Sequence, residues 1–371
     1  MKIEKVECFA LRHHLSTPRG PSILEYSTRE TLLIKITDSD GLAGWGETYL
    51  APGTPQVILS MAPLLVGKDA SRARQLWTAI WQASNDGYAV GGVSLALDDL
   101  RARQAGLPLH GLYGWAVRDR VRAYASSGGY CAGVDPARTW PDEVSELVER
   151  GFTGVKLRIG RFDPAHELPL LARLRAETPA EVDLMADGNA AYTFSTAVHV
   201  GKALGELGFA WFEEPMPQHQ GYVGYERLAA RLDIALAGGE IVENRGEAHD
   251  LLRRTAVDII QPDVCICGGI GEALFIADLA RIYGVRCVPH AWAGGVALAA
   301  TIQALALLPD PTRSPSTPAP LLEYDVAENP FRDEVLQEPI RLEDGWVDVP
   351  NGPGLGVEVD EEYVRRRAEA V

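Results

Sequence analysis

Ionisable residues close the short apolar runs in the second half of this chain. Lys156 and Arg158 end the run at 154–159, and Asp187 follows 182–186. Glu213 follows 210–212, Glu240 follows 234–238, Asp263 follows 257–261, His290 follows 286–289, and Glu323 lies in 320–324. Asp187, Glu213 and Glu240 are 26 and 27 residues apart, so they end successive units of one repeating pattern. Three carboxylates brought to one place repel unless a cation neutralises them. An all-oxygen set with no Cys or His selects a hard ion, and Mg²⁺ is the expected one. Asp263 and His290 end the next two runs. A carboxylate against an imidazole fixes its tautomer and strengthens it as a general base. Lys156 and Arg158, two apart on a strand, point to one side, where two cations require an anion. A substrate carboxylate is that anion. The chemistry that follows is removal of the proton beside a carboxylate, with the metal, Lys156 and Arg158 facing the charge that develops on oxygen. A protonated Glu323 would add a hydrogen bond to the same oxygen.

The elements that must position these residues follow from the spacing of the runs. Apolar runs at 121–126, 154–159, 182–186, 210–212, 234–238, 257–261, 286–289 and 320–324 alternate with amphipathic stretches. Strands alternating with helices imply parallel pairing, and eight such units imply an α/β fold of the (β/α)₈ TIM-barrel type. In that fold the strand ends share one mouth, which is where the charged residues fall. No GxGxxG follows the first strand of the series, which counts against a dinucleotide fold.

The first part of the chain reads differently. Lys2 to Leu11 alternates like a strand, and 31–37 and 42–47 flank the turn Asp38-Ser39-Asp40-Gly41 as a hairpin. Residues 13–28 carry Pro18, Gly20 and Pro21 and read as a mobile loop. Helical patterns occupy 71–83 and 92–104. The expected organisation is an α+β capping domain over 1–118, a barrel over 119–328, and a tail over 329–371 that packs back on the cap. The Pro-rich stretch 309–320 reads as a long loop before the last barrel strand.

Composition bounds the partners. Lys and Arg number 35 against 51 Asp and Glu, a net charge of −16. That excess argues against nucleic acid and against an anionic membrane surface. Five cysteines with no CxxC pair read as reduced thiols, with Cys265 and Cys267 on one face of a strand. No run of 18 apolar residues and no targeting pattern occurs, so a cytoplasmic location is expected.

The motifs resemble a known family. KLR after GFTGV, DGN at Asp187, WFEEP at Glu213, AGGE at Glu240, QPD at Asp263 and PHAW at His290 are similar to the mandelate racemase subgroup of the enolase superfamily. GWGE near the hairpin, CGG after QPD, and NPFRDEVLQEPI with GPGLG in the tail resemble galactarolactone cycloisomerases and acid-sugar dehydratases. The resemblance implies Mg²⁺ on Asp187, Glu213 and Glu240, an Asp263–His290 dyad, and substrate-binding or polarising roles for Asn189 and Glu323. It implies that loops 13–28 and 48–54 close over a small carboxylate substrate, an aldonic or aldaric acid or lactone. His14, Arg19 and Trp292 are the further candidates for that pocket. A homo-oligomer is implied in the same way.

One position departs from the family pattern. The subgroup carries Lys-x-Lys on the second barrel strand, and this chain has Arg158 in the second place. A guanidinium stays protonated and is a poor base. That disfavours two-base racemisation, although Lys156 would be a second base if Arg158 depressed its pKa. The leading expectation is an acid-sugar dehydratase, then a sugar-lactone cycloisomerase, then a racemase. A barrel that binds a ligand without turnover is the non-enzymatic alternative.

Overall fold

The computed structural model describes residues 1–310 and 319–370. The chain begins with β1 (Ile3–Gly20), β2 (Tyr26–Asp38) and β3 (Ala43–Thr48), an antiparallel meander. The hairpin after Asp38 forms as expected, with Gly41 at φ +83° closing the turn. Helices α1 (Thr54–Leu65), α2 (Ala73–Ser84) and α3 (Gly87–Ala105) cover one face of this sheet. Ile34, Ile36, Ile58, Leu65, Ile80, Val90 and Leu97 close a separate small core between them.

Two expectations for this region are corrected. The segment at 13–28 is not a loop: β1 runs on to Gly20 and β2 starts at Tyr26, leaving only 21–25 between them. Pro18 is accommodated where the register slips between His14 and Arg19. The strand tip is then held by β5 (Tyr130–Cys131), which pairs with Arg19 and Gly20. Helix α1 was not foreseen; it carries Pro55 and, inside it, Pro63. Pro55 sits in the first turn, where its missing N–H costs nothing.

The eight expected barrel strands all form. They are β4 (Arg120–Ser127), β6 (Gly154–Arg158), β7 (Asp183–Asp187), β8 (Trp211–Glu213), β9 (Ala235–Gly238), β10 (Ile259–Ile260), β11 (Arg286–Cys287) and β12 (Leu321–Asp325). They pair in parallel in the order β11-β10-β9-β8-β7-β6-β4-β12. Among the described residues no ladder joins β11 to β12. Pro289, without an N–H, follows β11. Glu323 of β12 bridges the seam instead, accepting from the Ala291 N–H at 3.2 Å. The tail touches both parts: β13 (Trp346–Asp348) pairs with the barrel strand β4, and β14 (Ala368–Glu369) adds to the cap sheet beside β1. Part of the Pro-rich stretch 309–320 lies outside the described residues. Among the described residues no helix is long and apolar enough to cross a membrane.

Strand periodicity explains how the barrel carries its chemistry. Tyr124, Met185, Trp211, Ala237, Ile259 and Val288, from β4, from β7 to β10 and from just past β11, form one apolar cluster inside the barrel. Two residues further along, the same face carries Asp187 after Met185 and Glu213 after Trp211. The interior is therefore a packed apolar plug with a charged layer above it, and the plug is the floor of the mouth.

Candidate active site

Each expected strand-end residue faces this charged layer. Asp187 and Glu213 are the last residues of β7 and β8, and Glu240 lies two residues past β9. Lys156 of β6 is 1% exposed and stands over the ring of Tyr124. Its ammonium is 2.5 Å from Glu213, 2.7 Å from Glu323 and 3.7 Å from Asp187. Burial alone would favour the neutral amine, but Glu213 and Glu323 hold its pKa well above the ordinary value. The direction is opposite to the depression expected from Arg158: three acids surround the ammonium, and they outweigh the guanidinium. The other difference concerns Glu323. Burial pushes its carboxyl up, but Lys156 and His290 pull it below the ordinary carboxylate value, the direction that favours the ionised form over the protonated donor expected.

Arg158 donates to the Ser126 hydroxyl at 3.3 Å and has no carboxylate within ion-pair distance among the described residues. Neighbouring Asp187 raises its pKa against the effect of burial, so it remains a cation. Glu213 is fixed from behind: Trp211 Nε1 donates to its second oxygen at 3.0 Å and Gln261 Nε2 at 2.8 Å. Asp187 is braced by the Asn189 backbone N–H at 2.9 Å. Asn189 itself is in the left-handed region, φ 41°, and its side-chain oxygen is buried with no partner.

The imidazole of His290 stands on the other side of this layer. Its Nδ1 is 2.7 Å from Asp263 Oδ2, and its Nε2 is 3.6 Å from Glu240. With Nδ1–H donated to Asp263, Nε2 is the nitrogen free to take a proton. Burial would lower the pKa of His290, but Glu240, Glu323 and Asp263 raise it to about 10 while the charge on these acids is unbalanced; a cation on Glu240 would remove the largest raising contribution and leave Nε2 able to accept a proton.

The layer holds more negative than positive charge. Asp187, Glu213, Glu240, Asp263 and Glu323 face two permanent cations, Lys156 and Arg158. Burial and repulsion from Glu213 push Asp187 up to about 7, and burial raises Glu240 as well. Among the described residues no group of three acids or imidazoles already converges at ligating distance. The Lys156 ammonium is shared between Asp187 and Glu213, and Glu240 leans toward His290. The donor set nevertheless fits a hard divalent cation: three carboxylates on adjacent strand ends, oxygen only, with uncompensated charge. Asp187, Glu213 and Glu240 could hold it.

The outer candidates are placed unequally. The Trp292 ring lies under the guanidinium of Arg29, 3.5 Å from it, and stacks on Tyr49 with ring centroids 6.3 Å apart. Arg29 is 2% exposed and pairs with Asp325 at 2.6 Å. Arg19 is half-buried at the tip of β1, with its Nε unpartnered. Burial raises the neighbouring Glu143 carboxyl, and Arg19 and Arg158 pull it back. His14 is exposed on β1; its neighbour His13 bonds Glu328 at 3.0 Å instead. Sequence reading did not single out Arg29, Asp325, Gln261 or Tyr49. Their partners are 48 to 296 residues away in the chain, so no local pattern marks them.

The family described as mandelate racemase / muconate lactonizing enzyme, N-terminal domain, matches residues 5–114, and the family described as enolase C-terminal domain-like matches 140–363. The chain belongs to the enolase superfamily. It is an enzyme of the mandelate racemase type, among relatives that are acid-sugar dehydratases and cycloisomerases. It is 36% identical over 370 residues to a D-galactarolactone cycloisomerase of Agrobacterium fabrum, with 97% of both chains covered. Its fold superposes on the 3,6-anhydro-D-galactonate cycloisomerase of Zobellia galactanivorans at TM-score 0.88, with 30% identity and all of both chains covered. An L-talarate dehydratase of Polaromonas sp. JS666, solved with Mg and L-glucarate, matches at TM-score 0.85 and 28% identity, covering 100% of this chain and 98% of that one. Enolase-superfamily members are Mg-dependent, which agrees with the donor set described above.

Proposed function

We propose that this enzyme removes the α-proton of an acid-sugar carboxylate and then expels an oxygen from the β-carbon, most simply as water. The observation that carries this reading is the His290–Asp263 pair at 2.7 Å, set across a carboxylate layer from Lys156 and Arg158. In the reaction, Lys156 and Arg158 meet the substrate carboxylate. A divalent ion held by Asp187, Glu213 and Glu240 would supply a Lewis acid for the negative charge that develops on that carboxylate. His290 Nε2 takes the proton, and Asp263 keeps the resulting imidazolium in place. The same imidazolium then returns its proton to the departing hydroxyl, so one residue serves as base and acid. Glu323, ionised, holds Lys156 against the site. A mouth with only this one proton-transfer group supports elimination over racemisation, because Arg158 and Lys156 both stay charged.

A second reading keeps every residue and changes the leaving group to the ring oxygen of a sugar lactone. Similarity to the galactarolactone cycloisomerase over nearly the whole chain favours it. A panel of aldonic acids, aldaric acids and their lactones, with Mg²⁺ in D₂O and NMR detection, tests both. The expected product is a 2-keto-3-deoxy acid, formed from the open acid in the first reading and from the lactone in the second. His290→Asn should lower turnover by roughly 10²–10⁴-fold, the usual contribution of a positioned general base. An inverted α-carbon as the sole product refutes both readings. The bounds of the cap, 1–118, of the barrel, 119–328, and of the tail, 329–371, are proposed with this function, the cap covering the mouth. The substrate is proposed to be the small carboxylate alone, and the enzyme a cytoplasmic homo-oligomer.

A further inference from the structure

The dyad acid has a third partner, and it comes from the other half of the molecule. Tyr49 follows β3, and its hydroxyl donates to Asp263 Oδ2 at 2.6 Å. This is the oxygen that faces His290 Nδ1 at 2.7 Å. The other oxygen, Oδ1, accepts from the Cys265 backbone N–H at 2.7 Å. Asp263 is 2% exposed, so these donors replace water around its charge.

The two residues before Tyr49 are anchored on the same side of the barrel. The Thr48 hydroxyl donates to the Cys265 carbonyl at 3.0 Å. Glu47, 0% exposed, accepts from the N–H groups of Gly294 at 2.6 Å and Ala297 at 2.8 Å. Those donors belong to the first turn of the helix Gly295–Leu307, whose positive end favours a carboxylate. A side chain at Gly294 would collide with Glu47, so the backbone approaches closely there. The Tyr49 ring also stacks on Trp292, with the planes 13° apart. Three consecutive cap residues therefore grip the acid of the dyad, the turn after β10, and the helix that starts just past His290.

We propose that Tyr49 is a positioning residue for the proton-transfer step: its hydroxyl fixes the Asp263 carboxylate, and through it the ring plane and tautomer of His290, so that the base is set only when the cap is docked. This rests on the reading of His290 as the base. Tyr49 donates and keeps its proton; burial and Asp263 raise its pKa well above the ordinary value. No bond changes at Tyr49 during the reaction.

Tyr49→Phe removes the hydroxyl and keeps the stacked ring. Turnover kcat should fall roughly tenfold, the order expected for losing one hydrogen bond to a charged acceptor. KM should stay within about twofold, because the lost bond is to Asp263 and not to substrate. In an Asp263→Asn background the same change should cost less than about twofold, because the group it acts through is gone. A readout free of turnover accompanies these. In ¹⁵N-histidine-labelled protein, the Nδ1–H proton of His290, assigned by its loss in His290→Asn, should move downfield in Tyr49→Phe, as the imidazole becomes the sole side-chain donor on Oδ2. Additive losses in the double variant, a rise in KM with kcat unchanged, or an unmoved resonance each overturns the proposal. If no acid sugar is turned over by the wild type, the function proposed above fails, and the resonance still decides whether Tyr49 holds the dyad.

Discussion

Lys156→Met is the sharpest probe of the charge balance in the mouth. It removes what is, among the described residues, the only ammonium within 4 Å of Asp187, Glu213 and Glu323 and keeps a similar side-chain volume. Lys156 is 1% exposed and Glu213 and Glu323 are 0%, so water cannot take over their solvation. Removing one partner of a buried ion pair costs about 3–5 kcal/mol, mostly from the charge left behind. For 371 residues the unfolding entropy is roughly 0.8 kcal/mol/K, so Tm should drop by about 4–6 °C in EDTA. Mg²⁺ should then discriminate the two proteins. At a concentration of about 100 Kd the ion adds roughly 2.7 kcal/mol to whichever state binds it. Without the ammonium to repel it, the ion should bind the variant more tightly, so the Mg²⁺-induced rise in Tm should be larger in Lys156→Met than in wild type. Differential scanning calorimetry with and without EDTA measures both quantities. An unchanged Tm in EDTA, or equal Mg²⁺ increments in the two proteins, refutes the view that these acids are an unbalanced cation site.

Two further outcomes follow from the same geometry. Arg158→Lys supplies a group that can lose a proton where the guanidinium cannot; in a His290→Asn background it should restore α-deuterium exchange on the order of 10²-fold above His290→Asn alone, read by NMR in D₂O, and no exchange means that position 158 does not face the α-carbon. Arg29→Met strips Asp325, 6% exposed, of its partner and Trp292 of its stacked cation, so urea unfolding should show a loss of about 3–5 kcal/mol, partly recovered by Arg29→Lys.

What could be read from the sequence was whatever repeats locally. The barrel strands were legible because they are short apolar runs, closed from the second onward by an ionisable residue, and alternation along β7 and β8 puts Met185 and Asp187, or Trp211 and Glu213, on one face. The β2–β3 hairpin was legible through its Asp-Gly turn. Other features depend on contacts distant in sequence. Cys265 and Cys267 fall in the turn after β10 and not on a strand, because β10 ends at Ile260. The extension of β1 to Gly20 needs β5, more than a hundred residues on, to pair with its tip. The charge environments of Lys156 and Glu323 were not legible for a related reason. A charge inside a barrel answers to every strand end around it, and the sequence shows only its own strand.

The asymmetry of the mouth limits what chemistry it can do. A racemase needs proton acceptors on both faces of the α-carbon, each able to give the proton back. Here one side carries an imidazole with a carboxylate behind it, and the other carries an ammonium held by three acids and a guanidinium that stays charged. In the proposed reaction the second side binds and polarises, and His290 is the acceptor. A proton taken by His290 can return only to the face it left or to a leaving group on that face. The second course is elimination, and it is irreversible in practice once the enol product becomes a ketone.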